Sequence, residues 1–270
     1  MNTRIIKYFS VIISLIIISS LFYGCGSTAQ LQSTWNNDEI KIDGNSSEWQ
    51  SSAFMVEDEG VILNFKNDNE FLYLCLITNN RGKIAQMMRS GFIVWFDSNP
   101  DESKVFGIKY PMQVSLLDRD ERREFNKEIF RDGDMKNHFV KMIEDAKEFQ
   151  ILNEKYFPLG QLPIENNEGI KVKLGLDSER FIYELQVPIE TSKQYQNKIA
   201  AGPGEKIKIN FETLDYEFDR IPLGGMKPPS EREGMGSQRP QGGMRKGEGK
   251  QFEKPEPFNF KIELQLQKQN

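Results

Sequence analysis

The sequence predicts an all-β chain built from antiparallel strands and interrupted by one helical insertion. Three observations carry that expectation. From Glu39 onward the apolar residues recur mostly with a period of two, as in Val61, Leu63 and Phe65 or Ile170, Val172 and Leu174, which places them on one face of a strand. Two runs, Phe71 to Ile77 and Gly91 to Asp97, are apolar on both faces, as central strands are. Between Asp118 and Phe157 the alternation gives way to dense charge, and Met135, Phe139, Met142 and Ile143 recur at helical spacing behind Asp134, a good N-cap.

In chain order, Glu39–Ile42 is expected as a short strand stopped by Asp43-Gly44, where glycine permits positive φ. Trp49 follows within one loop. Val61–Phe65 and Phe71–Ile77 flank Asn67-Asp68-Asn69, a hairpin turn. Lys83–Met88 reads as a turn of helix, and Trp95 as part of a core strand. Lys104–Tyr110 and Met112–Leu117 read as two strands joined at Pro111. Residues 170–176, 180–189 and 206–213 are three more. Residues 224–257 contain eight glycines and five prolines in 34 positions and bury too little apolar surface to order, so a disordered loop is expected. Phe258, Phe260, Ile262, Leu264 and Leu266 then alternate cleanly with polar residues. The chain must therefore return to the sheets at its C-terminus.

The N-terminus sets the compartment. Arg4 and Lys7 precede an apolar stretch, Val11 to Leu21, that is short for a membrane span. Leu21-Phe22-Tyr23-Gly24-Cys25 looks like a bacterial lipobox, with Cys25 as the lipidated residue. Residues 1–24 are thus expected as a lipoprotein signal peptide and 25–37 as a tether. The chain would be lipid-anchored in the cell envelope, in the outer membrane or facing the periplasm if the cell is Gram-negative. Loss of residues 1–24, with two basic and no acidic residues, takes the net charge from −5 to −7. So acidic a chain is a poor match for nucleic acid, whose phosphates require basic patches. With Cys25 lipidated, Cys75 is a lone thiol, read as a buried structural residue.

The pattern "I-x-I-D-G" at Ile40–Gly44, then Trp49, then Asn67-Asp68 leading to Leu72-Tyr73-Leu74, resembles the opening of carbohydrate-binding family 9 modules and their DOMON-like relatives. Tyr183-Glu184-Leu185…Val187-Pro188-Ile189 and Lys206–Thr213 resemble later strands of the same family. The resemblance spans 38–267, with 118–157 and 224–257 as departures. It implies an antiparallel β-sandwich that binds carbohydrate without catalysis, with aromatic rings against the sugar and polar groups on its hydroxyls. The candidate ligand contacts are Trp35, Trp49, Tyr110 and Tyr216, although Trp35 better suits pinning the tether and Trp49 suits packing at least as well. Calcium is a second family trait, with Asp43, Asp68, Asp97 and Asp101 as candidate oxygen ligands at strand ends. Each of these also suits a turn that satisfies its own backbone. Haem would need axial Met, His or Lys placed together, and the lone His138 offers no such placement.

Nothing in the sequence singles out an enzyme. There is no Gly-rich phosphate loop, no G-x-S-x-G, no H-E-x-x-H and no Cys/His cluster. The alternative to sugar binding is an envelope interaction module with the same fold and no sugar site.

Overall fold

A computed structural model describes residues 29–49, 53–99, 101–112, 135–153, 160–177, 180–213 and 257–269. Its strands are β1 (Ala29–Gln32), β2 (Thr34–Trp35), β3 (Phe54–Val56), β4 (Val61–Asn67), β5 (Phe71–Thr78), β6 (Phe92–Asp97), β7 (Phe106–Lys109), β8 (Glu148–Leu152), β9 (Gly160–Pro163), β10 (Lys171–Asp177), β11 (Arg180–Pro188), β12 (Lys206–Thr213) and β13 (Asn259–Gln265). Two α-helices join them, α1 (Arg81–Ser90) and α2 (Met135–Asp145). The strands form a seven-stranded sheet, β1-β13-β12-β6-β7-β8-β9, and a six-stranded one, β10-β11-β5-β4-β2, with β3 also paired to β4.

The inward faces of the two sheets meet in one core. Leu63, Phe65, Leu72, Leu74 and Leu76 of the smaller sheet pack with Phe92, Val94, Phe96, Ile207, Ile209 and Phe211 of the larger. Phe92 meets Tyr183 edge-on across the interface, with ring centroids 5.2 Å apart. The expected β-sandwich is therefore what this chain forms. It is not wholly antiparallel, because β1 runs parallel to β13 and β2 parallel to β4.

Those parallel pairs correct the tether. Residues 29–35 form edge strands on both sheets, with Ala29 and Leu31 packed against the core. Buried Asn67 locks this crossing. Its Oδ1 accepts Ser33 Oγ at 2.5 Å and Gln267 N at 2.9 Å, and its Nδ2 donates to Gln267 O at 3.0 Å. One side chain thus ties the hairpin end of β4 to both chain termini of the sandwich.

Other differences are local. Glu39–Ile42 makes no ladder, because Ile40 and Ile42 pack onto a sheet face rather than along a sheet edge. The turn of helix at 83–88 is a full helix, α1, capped by Asn80, whose side chain accepts Lys83 N. Within 118–157 only α2 is helical among the described residues, and Glu148–Leu152 is a strand that buries Phe149 and Ile151. The charge on Lys147, Glu148 and Glu154 hides that two-residue alternation in the sequence. Met112 lies outside any strand. Residues 113–134, and 224–256 of the glycine- and proline-rich segment, lie outside the described residues.

Candidate functional site

A sandwich has two outward faces, and here they differ in kind. The outward face of the six-stranded sheet is covered by residues 36–49. Ile40 and Trp49 form a second apolar cluster on it with Tyr73, Cys75, Ile77 and Ile182. Beneath the cover lies Glu184 of β11, which has no exposed surface. Its Oε2 accepts Gly44 N at 2.5 Å and its Oε1 accepts Trp49 Nε1 at 2.6 Å. Burial pushes the Glu184 carboxyl up to about 7, against the opposing pull of the donors on Gly44 and Trp49, while the charge of Asp43 adds to the rise and its backbone N–H opposes it. The same burial raises the Cys75 thiol, with Glu184 contributing. Gly44, at φ +85°, lies directly on Gly175 of β10, and a Cβ on Gly44 would fall 2.8 Å from Leu174 O. The "I-D-G…W" and "Y-E-L" motifs are therefore two halves of one structural clasp. Trp49 and Glu184 are spent inside that clasp.

The outward face of the seven-stranded sheet is built differently. Residues directly opposite on neighbouring strands share a face, so the registers assemble it row by row. One row runs Gln161, Gln150, Lys109, Ile93, Glu212 and Asn259; the next runs Leu152, Gly107, Trp95, Asn210 and Lys261. Apart from Ile93, Leu152 and Trp95, these rows are polar or glycine.

Trp95 anchors this face. A Cβ on Gly107 would sit 2.7 Å from the Trp95 Cζ3, so the missing side chain is what lets the indole lie flat across β7. Its Nε1 donates to Glu212 Oε1 at 3.1 Å, and Lys104 Nζ sits 5.7 Å from the ring centroid. Lys104 also pairs with Glu212 Oε2 at 3.2 Å. Trp95 is 4% exposed, which makes it a rigid floor rather than a free platform. Asn210, 5% exposed, donates weakly to Glu212 at 3.4 Å, while its buried Oδ1 has no partner. A buried amide oxygen left unpaired calls for an explanation, and Asn64 on the other sheet leaves both its amide atoms unpaired.

The residues singled out from sequence fare unevenly. Trp49 and Tyr110 are corrected as sugar contacts. Trp49 is 2% exposed inside the clasp, and Tyr110 is 1% exposed with its hydroxyl donated to Ala146 O. Burial carries that phenol up to about 12. Trp35 remains half-buried at an edge of the smaller sheet, with Nε1 donating to Asn37. Tyr216 and Cys25 lie outside the described residues.

The four candidate calcium ligands do not come together. Asp43 Oδ1 accepts Asn45 N. Asp68 accepts Glu70 N, Phe71 N and the Tyr73 hydroxyl. Asp97 is buried and accepts Val105 N, and Asp101 is exposed. Among the described residues no three acidic, histidine or cysteine side chains gather as a metal would need. These aspartates serve their own loops, as Asx turns do, and they do not fit a shared calcium ion.

The Trp95–Glu212–Asn210 group was missed because Trp95 sits in a run that is apolar at nearly every position. The available signal was the alternation in Lys206–Glu212, where Lys208, Asn210 and Glu212 share the face opposite Ile207, Ile209 and Phe211.

No helix among the described residues is long and apolar enough to cross a membrane. No family model and no curated relative matches the chain. Among solved structures it is similar to a family 9 carbohydrate-binding module from Caldicellulosiruptor kristjanssonii in complex with glucose, at 9% identity and a TM-score of 0.32, covering 69% of this chain and 78% of that one. The same module in complex with cellotriose matches at 9% identity and 0.31, covering 68% and 75%. A protein from Bacteroides uniformis ATCC 8492, provisionally designated carbohydrate-binding, matches at 10% identity and 0.36, covering 69% and 84%. The solved structures found thus include members of the family whose motifs the sequence resembles.

Proposed function

We propose that this chain is a lipid-anchored envelope protein whose sandwich binds carbohydrate without catalysing its breakdown, on the outward face of the seven-stranded sheet. The observation that carries the reading is the polar group of Glu212 and Lys104, held in place over the buried Trp95 ring beside Asn210. Sugar hydroxyls are paired donors and acceptors. A carboxylate, an ammonium and an amide held in fixed positions around a flat ring supply complementary partners. The opposite face carries a similar group in Trp49, Lys66, Glu184 and the unpaired Asn64, but there residues 36–49 lie over it and Glu184 has no exposed surface.

The test is a titration of residues 27–270, shown to unfold cooperatively, against mono- and oligosaccharides with and without calcium. Tryptophan fluorescence and calorimetry are the readouts. Saturable binding that Glu212→Gln weakens by about tenfold or more supports the site, since hydrogen bonds to charged groups contribute roughly 1.5–3 kcal/mol. Silence across the panel from a folded protein would move the reading to an envelope interaction module. The anchor is tested separately, by radiolabelled fatty-acid incorporation that a Cys25→Ala variant should lose.

A further inference from the structure

We infer that the sugar taken by this face is anionic, and that Lys109 receives its oxyanion group. The inference rests on the proposed sugar site and adds a ligand class to it.

The carboxylates of the face are committed elsewhere. Glu212 serves Trp95, Lys104 and Asn210. Glu148 accepts Gln161, Glu263 pairs with Lys206 at 2.6 Å, and Asp97 accepts Val105 N. Two lysines of the face are uncommitted among the described residues, Lys261, which is exposed, and Lys109, which is not. Lys109 is half-buried, and among the described residues its ammonium has neither hydrogen bond nor ion pair. Ile93 stands between it and Glu212 in the row, a gap of two strand spacings, or about 10 Å. On its other side is Gln150, whose amide is likewise uncommitted and half-buried.

A half-buried ammonium loses part of its hydration and here gains no counter-charge, so an added anion would be favoured beside it. Burial alone lowers the Lys109 pKa, which agrees with a cation awaiting an anion. The ligand group that repairs this is a carboxylate, sulfate or phosphate on a sugar. It would accept from Lys109 Nζ and from the Gln150 amide while the neutral hydroxyls address Glu212 and Asn210. Lys109 is in the row next to Trp95's, so a single saccharide reaches both.

The experiment uses the full chain in detergent and three probes of equal length: trigalacturonate, galactotriose and a sulfated galactotriose. Affinities come from calorimetry at two salt concentrations. The expected result is that one or both acidic probes bind about tenfold or more tightly than galactotriose, with the preference shrinking in high salt. Trigalacturonate against sulfated galactotriose decides which oxyanion is used. Lys109→Met should abolish the acidic-to-neutral ratio, and Lys109→Arg should keep it. Circular dichroism melts establish that both variants fold.

Equal binding of acidic and neutral probes overturns this inference and leaves sugar binding intact. An acidic preference that survives in Lys109→Met also overturns it, because another cation is then responsible. No binding of any probe overturns this inference, while the sugar reading falls only with silence across the wider saccharide panel.

Discussion

Glu184 shows how one side chain sets a pH dependence. Its carboxyl is raised to about 7 in the folded chain from an ordinary value of 4.5. The folded state therefore holds this proton more tightly than the unfolded state does. Its contribution is most favourable below pH 4.5 and is lost as pH rises from there through about 7. A shift of that size corresponds to something on the order of 3 kcal/mol. Urea unfolding followed by tryptophan emission should accordingly show stability declining across this window. In Glu184→Gln the Glu184-linked part of that slope should vanish. The glutamine should also lower stability at low pH, since its amide nitrogen must face an N–H of Gly44 or Trp49, leaving a buried donor unsatisfied at about 1–3 kcal/mol. A pH slope unchanged in the variant would remove Glu184 as its source.

At the scale of elements, two glycines decide how close neighbouring pieces come. Gly175 carries the turn of the clasp against β10, and a Cβ there would overlap Gly44 O. Gly175→Ala should cost about 1–3 kcal/mol, the usual range for overpacking, read as a lower denaturation midpoint. It should also make Trp49 more accessible to quenchers as the cover lifts. Gly107→Ala acts on the other face, where the new methyl collides with the Trp95 ring. It should shift tryptophan emission and weaken saccharide binding more than it lowers stability. If Gly107→Ala binds sugar as well as the parent does, Trp95 is not the floor of the site. These two positions separate the faces, because one glycine closes a cover and the other lays out the face proposed to bind saccharide.

At the scale of the molecule, the C-terminal strand is interior to the larger sheet. β13 lies between β1 and β12, with Ile262, Leu264 and Leu266 in the core. Removing residues 261–270 deletes those three side chains, each contributing roughly 1.5–3 kcal/mol by burial, and strips the ladder from both neighbours. A domain of ordinary stability, about 5–15 kcal/mol, should not survive that loss, so circular dichroism should show no cooperative melt. Deletion of 226–254 should leave the melt nearly unchanged, because lengthening or shortening a loop changes closure entropy only slowly. A non-cooperative melt in that internal deletion would mean that the segment packs onto the sandwich.

Strands with clean alternation or continuous apolar runs, such as β4, β5, β6, β11 and β13, were legible in the residues alone. In those segments local periodicity and burial coincide. The turn chemistry at Asp68 and the return of the chain at Phe258 were legible there too. Tertiary structure alone decided the rest. Glu39–Ile42 alternates like a strand yet lies across a sheet as a cover, since periodicity records which side chains are buried but not what they are buried against. Trp49 and Trp95 look alike in sequence. One closes the clasp over Glu184 and the other floors the opposite face, because that assignment depends on partners 135 and 117 residues away. The half-buried Lys109 without a described partner and the unpaired Oδ1 of Asn210 became visible only when strand registers set their rows. A missing partner is a property of three-dimensional neighbours, and no local pattern of residues encodes it.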